Sequence, residues 1–142
     1  KNMLKKVFDG TFWAANVKPH RTPVWGESSP YCFIAVYGPS ERKAAYAKFD
    51  AGAAIMSMLF QACEAGLGCC WLGSFNQKEV KNLLNLADDS QIYALVAVGY
   101  PAEEPQYENI NISDEQSYYL NTEKKLIVPK YTVAAITEFY ED

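Results

Sequence analysis

Few residues of this sequence have the type and spacing that chemistry requires. Its 142 residues include four cysteines and one histidine, and no two cysteines form a Cys-x-x-Cys pair, so spacing assembles no four-ligand metal set. Cys69-Cys70 could act as a redox pair. Neighbouring residues of a strand point to opposite faces, however, which favours buried and inert thiols. The sequence also offers no catalytic triad and no pair of catalytic carboxylates.

A glycine-containing turn separates the longest helical pattern from a short apolar run. Gly66-Leu67-Gly68 follows the helix, and Cys69-Cys70-Trp71-Leu72 is predicted to be a short buried strand. By itself, such a turn is a helix terminator. We interpret Trp71 as a packing residue of the core in preference to a platform for substrate.

Composition and charge exclude several functional classes. Apolar residues make up 49% of the chain and charged residues 21%, which predicts one packed domain. The net charge is −4, so we expect no nucleic-acid partner. No apolar run approaches the roughly 18 residues of a membrane span, and the pattern of these residues predicts no signal peptide. We therefore expect a cytoplasmic protein with no membrane partner and with reduced, mostly buried thiols.

Hydrophobic periodicity and turn residues predict an alternation of helices and strands. The predicted elements are a helix over residues 1–10, a loop over 11–30, a strand over 31–37, a long helix over 44–65, a strand over 69–72, a helix over 76–84 capped by Asn76, a strand over 92–98, an irregular polar stretch over 102–117, two short extended pieces between 118 and 128, and an amphipathic helix from Pro129 to Tyr140.

The long helix and the apolar strands indicate the fold class. Two apolar stripes run along the helix: Ala51, Ile55, Met58, Leu59 and Ala62 form the first, and Met56, Phe60 and Cys63 form the second. A helix that is apolar on most sides is buried on most sides, either in a core or at a dimer interface. The strands over 31–37 and 92–98 lack polar alternation, which is typical of strands covered on both faces. Together these patterns predict an α/β or α+β three-layer domain.

Three linked pieces lie in order between Asp50 and Pro105. The first is the long helix from Asp50-Ala51-Gly52 to Gly66-Leu67-Gly68. The second is Cys70-Trp71-Leu72-Gly73 with the helix that follows it, and the third is Gly99-Tyr100-Pro101-Ala102-Glu103. In this order and spacing the pieces resemble the nitroreductase family, and residues 18–23 and 128–130 agree with that resemblance.

The resemblance implies an FMN-binding α+β fold of three layers. Its mixed, mostly antiparallel sheet is flanked by helices, and a long central helix lies in the interface of a homodimer. The activity implied is that of an FMN-dependent oxidoreductase. NADH or NADPH reduces the flavin, which then reduces a nitroaromatic, a quinone or a similar small-molecule electron acceptor.

The resemblance also assigns candidate cofactor-binding residues. Leu72 and Gly73 match the strand end whose backbone N–H groups face the flavin, and a glycine lets the backbone come close to the ring. Gly66 and Gly68 match the turn that delivers this strand, and Trp71 belongs to the same segment. Near the tail, Lys125 or Lys130 matches the basic residue that contacts the FMN phosphate. No metal site and no catalytic side chain are implied.

The sequence also departs from the family pattern. Members open with an Arg-x-Ser-x-Arg-like segment and a Pro-Ser-x-x-Asn stretch, which this sequence does not contain. Residues 1–142 are thus expected to form a single nitroreductase-like domain that lacks the usual N-terminal FMN-phosphate-binding segment. Two hypotheses stay open: an active oxidoreductase, or a non-catalytic truncated paralogue or flavin-binding remnant that keeps the fold and the dimer surface. His20-Arg21 also has two interpretations, contact with a substrate or nicotinamide phosphate, or an exposed loop pair.

Overall fold

The computed structural model describes residues 2–13, 17–19, 21–40 and 45–140. The chain groups into two compact units, one from residues 1–13 and 23–102 and the other from residues 14–22 and 103–142. The described elements, in chain order, are α1 (Asn2–Asp9), β1 (Val17–Lys18), β2 (Cys32–Pro39), α2 (Ala47–Glu64), β3 (Gly68–Leu72), α3 (Gln77–Leu83), β4 (Ser90–Gly99), β5 (Gln106–Ile110), β6 (Tyr118–Leu120), β7 (Leu126–Tyr131) and α4 (Val133–Ile136).

The first unit is built on a three-stranded antiparallel sheet with the order β2-β4-β3. Its central strand β4 pairs with β2 from Cys32 to Pro39 and with β3 from Gly68 to Leu72. As its unbroken apolar run predicts, β4 is covered on both faces, with Ile92 and residues 94–97 buried. The other two elements of the sheet depend on this strand for their backbone hydrogen bonds.

Helices cover both faces of this sheet and give the first unit three layers. On one face, Val7 of α1 and Val80 of α3 belong to the same apolar cluster as Leu95 of β4. On the other face, Ile55 of α2 packs in a cluster with Val96. Successive residues of β4 thus enter opposite clusters, as the pleat of a strand requires. The predicted α+β, three-layer class is confirmed.

The turn between α2 and β3 has the hydrogen bonds of a Schellman motif. The Leu67 N–H donates to the Ala62 carbonyl at 2.9 Å, and the Gly66 N–H donates to the Cys63 carbonyl at 3.0 Å. Gly66 has a φ of 71°, in the left-handed region that costs glycine little and other residues more. The predicted glycine terminator of the long helix is confirmed.

The helix α3 begins at the capping residue that the sequence predicts. The Asn76 side-chain oxygen accepts a hydrogen bond from the Glu79 backbone N–H at 3.2 Å. The Asn76 amide in turn donates to the Glu79 carboxylate at 3.1 Å. This reciprocal contact satisfies an N–H that the first helical turn leaves without a partner.

The second unit holds a four-stranded mixed sheet with the order β1-β6-β7-β5. β6 and β7 are antiparallel, whereas β1 runs parallel to β6 and β5 runs parallel to β7. The buried residues of this unit include Val17, Ile110 and Ile127. The strands of the chain therefore form two sheets, where the sequence pattern indicated one.

Three predicted elements were wrong. Residues 11–30 and 102–117, expected to be irregular, contain β1 and β5. β1 has two residues and β5 is an exposed edge strand with polar side chains, so neither has an apolar alternation to detect. The last helix does not begin at Pro129, because this proline lies in β7. Only Leu126 and Ile127 of β7 pair with β6, and Pro129 follows them. The helix begins after Thr132, whose hydroxyl accepts from the Ala135 N–H, and ends at Ile136.

One expectation about burial was also wrong, and a second is met only in part. β2, an edge strand of its sheet, is not covered on both faces. Its residue Ile34 is 39% exposed. Of the long helix only Ala51 and Ile55 are buried, while Met56 and Phe60 are 43% and 70% exposed. Met56 and Phe60 of the second apolar stripe are thus not covered within their unit, and burial of this stripe at a dimer interface stays a prediction.

None of the helices in the described ranges combines the length and hydropathy needed to span a bilayer.

Replacing Gly66 with Ala should lower the free energy of unfolding by about 1 kcal/mol, because Cβ disfavours the left-handed backbone. Chemical denaturation of the two proteins measures this change. Gly73→Ala is the matched control, since Gly73 has no left-handed φ and no other heavy atom lies within 4 Å of its Cβ position. Equal destabilisation by both substitutions would contradict the role assigned to the turn.

Candidate functional site

The segment from Gly66 to Gly73 brings two pieces of the family resemblance together. A Cβ on Gly68 would lie 3.4 Å from the Pro101 Cα, so this glycine sits against the turn Gly99-Tyr100-Pro101 that follows β4. The ring of Tyr100 also stands edge-on to Tyr31, with 5.3 Å between centroids. The two turns therefore lie side by side at one end of the three-stranded sheet.

Trp71 lies on the face of β3 that α2 covers. A Cβ on Gly52 would lie 3.7 Å from the Trp71 Cη2 atom, so a glycine of the helix gives the indole room. The tryptophan nevertheless remains 45% exposed. The interpretation of Trp71 as a buried core residue is thus wrong within this chain. The ring presents an apolar surface next to the strand end.

Leu72 and Gly73 differ sharply in their surroundings. The Leu72 side chain is 7% exposed and belongs to the same apolar cluster as Phe75 and Leu95. Gly73, the first residue after β3, is exposed, and no heavy atom beyond its chain neighbours lies within 4 Å of its Cβ position. The core therefore fixes the backbone at Leu72, and the next residue faces open space.

Segment 66–77 contains no ionisable side chain other than Cys69 and Cys70. Burial raises the pKa of the Cys69 thiol, and the neighbouring Cys63 raises it further. Desolvation of the sulfur, followed by the effect of Cys69, raises the pKa of Cys70. Both thiols are therefore neutral at neutral pH, and backbone dipoles dominate the electrostatics of this segment.

The expectation of mostly buried thiols was wrong. Cys32, Cys63 and Cys70 are exposed, and Cys69 is half-buried. All four cysteines are free thiols. In the ranges that the structure describes, no group of three or more His, Cys, Asp or Glu side chains is arranged to hold a metal ion.

The two candidate phosphate-binding lysines both belong to the second unit. The Lys125 ammonium lies 3.1 Å from the Glu123 carboxylate, so a negative charge already accompanies it. Lys125 also lines an open groove of about 690 Å³ whose wall includes Glu103 and Glu104. Lys130 is exposed on β7 and has no ion pair among the described residues.

The second unit contains polar contacts that sequence patterns did not indicate. The Arg21 guanidinium pairs with the Glu103 carboxylate, so this arginine is an ion-paired surface residue, whereas His20 lies outside the described residues. The Tyr119 hydroxyl donates a hydrogen bond to the Glu108 carboxylate at 2.8 Å. The hydrogen bond to Glu108 raises the pKa of Tyr119. These partners are far apart in sequence or lie on different strands, so spacing gives no signal for them.

Comparison with known proteins decides the family. The model of the nitroreductase family matches residues 9–100, which is more than half of the chain. The chain belongs to the nitroreductase family. The matched range contains the whole Gly66–Gly73 segment, ends at Tyr100 within the turn that follows β4, and stops before both candidate lysines.

Solved structures of nitroreductase-family proteins resemble the chain. A nitroreductase family protein from Clostridium novyi NT has 18% identity and a TM-score of 0.54, with 70% of this chain and 56% of that chain covered. An FMN-dependent nitroreductase from Clostridium difficile R20291 has 23% identity and a TM-score of 0.46, with 51% and 46% covered. A nitroreductase with bound FMN from Bacteroides fragilis NCTC 9343 has 21% identity and a TM-score of 0.48, with 58% and 48% covered.

This nitroreductase-family chain spans about half the length of the solved structures that it matches. Comparison with curated protein sequences finds no match. The Clostridium novyi structure supports the fold, and the family model supports the membership.

Replacing Glu108 with Gln should lower the pKa of Tyr119, because the carboxylate that accepts its hydrogen bond loses its charge. The folded-state pKa lies above the ordinary value of 10.0. The stabilisation from this bond is therefore fully present below that pH and is lost as the pH rises through the folded-state pKa. Alkaline titration of tyrosinate absorbance, with Tyr119→Phe as the difference reference, measures the shift.

Glu104→Gln is the matched control for this titration, since it removes a carboxylate of the same unit that accepts no hydrogen bond from Tyr119. An unchanged Tyr119 titration in Glu108→Gln would show that the hydrogen bond does not form in solution.

Proposed function

We propose that this chain belongs to an FMN-dependent oxidoreductase that passes a hydride from NADH or NADPH to a nitroaromatic, a quinone or a similar acceptor. The observation that carries the proposal is the strand end at Leu72 and Gly73. There the core fixes the backbone and open space adjoins the glycine, in a chain of the nitroreductase family.

Bound flavin would supply the redox chemistry, since it accepts and donates a hydride that no amino-acid side chain can carry. The protein would bind and orient the cofactor and tune its redox properties. Peptide dipoles suit this task because they are fixed by the core and do not titrate. Leu72 and Gly73 are our candidates for the groups that face the flavin edge.

The residues around this strand end fit a flat, largely apolar ring. Gly73 leaves room where a Cβ would intrude, and the half-exposed Trp71 offers an apolar surface nearby in sequence. Gly66 and Gly68 give the turn that brings the strand to this position, because one takes the left-handed backbone and the other packs against Pro101. The neutral thiols of the segment add no competing charge.

For the FMN phosphate we favour Lys130 over Lys125. A phosphate carries close to two negative charges and binds best to a cation that has no carboxylate beside it. Lys125 is already paired with Glu123, whereas Lys130 has no ion pair among the described residues.

We also propose that the chain functions as a homodimer through the exposed face of α2. Phe49, Ala53, Met56 and Phe60 recur at helical spacing on this face, and Phe49 and Phe60 are 74% and 70% exposed. Tyr46 extends the patch, since its ring lies 6.4 Å from that of Phe49. A contiguous apolar face of this kind is stabilised when a second apolar surface excludes water from it.

Adding FMN to the purified chain should give visible flavin absorption that persists through gel filtration. Replacing Gly73 with Val should weaken FMN binding at least about tenfold, because the branched side chain fills the space beside the strand end. Equilibrium dialysis of FMN against the two proteins measures the difference.

Ser74→Ala is the control for that substitution, since it changes the next exposed residue without adding bulk. Thermal unfolding of Gly73→Val should match that of the original chain, because no contact occupies the space. Equal FMN affinity of all three proteins would contradict the assignment of Gly73. FMN binding without oxidation of NADH or NADPH in the presence of an acceptor would instead favour the non-catalytic alternative.

Replacing Phe60 with Glu should convert the dimer into a monomer, because a carboxylate would be buried without a partner at the interface. Light scattering coupled to gel filtration measures the molar mass over a range of concentrations.

Met3→Glu is the matched control, because Met3 is also apolar and 55% exposed but lies on α1. A monomeric original chain, or dimers that withstand Phe60→Glu, would contradict the proposed interface.

A further inference from the structure

We propose that Cys63 and Cys69 form an oxidisable dithiol, which a small peroxide converts into an intramolecular disulfide. The proposal concerns thiols that the flavin chemistry does not use, and it stands whether or not the chain binds FMN.

The position of the Cys69 sulfur is the first observation. Its Sγ atom lies 3.9 Å from the Leu59 carbonyl oxygen, so the sulfur rests against α2. In an α-helix that carbonyl lies next to the N–H of the residue four positions later, which here is Cys63. The Cys69 thiol is therefore located at the helical turn that carries Cys63.

The alignment of α2 with β3 is the second observation. Gly52, Met56 and Cys63 lie on one flank of the helix, since residues four and eleven positions apart recur on the same side. A Cβ built on Gly52 would lie 3.7 Å from the Trp71 Cη2 atom, so this flank of the helix faces the indole. Trp71 and Cys69 are two residues apart in β3 and therefore point to the same face. This flank of α2 thus runs alongside β3 from Trp71 towards Cys69, and Cys63 lies at its far end.

The turn between the two cysteines keeps them close. The Schellman hydrogen bonds of Gly66 and Leu67 reverse the chain directly after Cys63, so that only five residues separate the two thiols. The charge of Cys63 contributes to the raised pKa of Cys69, after burial, which agrees with their proximity.

The other two cysteines are excluded by the sheet. Cys70 follows Cys69 directly on β3 and points to the opposite face. Cys32 lies on β2, which is separated from β3 by the central strand β4.

Hydrogen peroxide is the oxidant that accepts the two electrons of the thiol pair. The exposed Cys63, as its thiolate, attacks one peroxide oxygen; an S–O bond forms, the O–O bond breaks and water leaves after protonation. The Cys69 sulfur then attacks the Cys63 sulfur, the S–S bond forms, and the S–O oxygen leaves as a second water. Two thiols and one peroxide thus give one disulfide and two waters.

The test uses the double variant Cys32→Ser/Cys70→Ser, which keeps only the proposed pair. The folded protein is treated with hydrogen peroxide, denatured, and analysed by thiol titration and intact mass. We expect both thiols to disappear together, the mass to fall by two hydrogen atoms, and the chain to stay a single polypeptide on a non-reducing gel. Dithiothreitol should restore both thiols.

Adding Cys63→Ser or Cys69→Ser to this background is the control, and the remaining thiol should then gain oxygen instead of losing hydrogen. Persistence of both thiols, gain of oxygen at both, or a disulfide between two chains in the double variant would each overturn the proposal. Circular dichroism of every variant before oxidation ensures that the comparison is between folded proteins.

Discussion

Burial of β4 on both faces is the constraint on which the first unit depends. Its apolar side chains enter two clusters, one beneath α1 and α3 and one beneath α2. Because β2 and β3 bond to β4 from either side, this single strand sets the position of both edges and all three helices. The strand end at Leu72 and Gly73 inherits its rigidity from β4, since Leu72 pairs with Leu95 and packs in the same cluster.

The turn at Gly66 converts this core into a candidate site. The left-handed glycine ends α2 abruptly and returns the chain along the helix as β3. The same reversal places Trp71 beside Gly52, aligns the Cys69 sulfur with the last turns of α2 and leaves Gly73 at an open end of the strand. A flavin site and an oxidisable thiol pair would thus share one structural cause.

Much of the first unit could be predicted from the sequence because its signals are local or strongly apolar. The unbroken run in β4, the periodicity of α2, the cap at Asn76 and the terminator at Gly66 each have a direct physical basis. The site segment was indicated by the family resemblance together with its glycines. The open space beside Gly73 could not be predicted, because it depends on the tertiary positions of the other helices and strands.

The remaining features depend on tertiary partners that a sequence pattern does not contain. β1 and β5 exist because distant strands bond to them, and Pro129 is tolerated in β7 because β6 pairs only with the first residues of that strand. Trp71 and Phe60 are exposed, but their apolar character alone could not show whether they would be exposed or buried in the core. Hydrophobicity predicts that a side chain will be covered, but it does not say whether its own chain or a partner covers it.

An NMR titration of the isotope-labelled chain with FMN tests the central claim most directly. The account predicts that the backbone amides of Leu72 and Gly73 and the indole of Trp71 shift most, while amides of α3 such as that of Val80 shift little. Absence of any shift, or shifts confined to residues remote from the Gly66–Gly73 segment, would contradict the claim that this strand end receives the flavin.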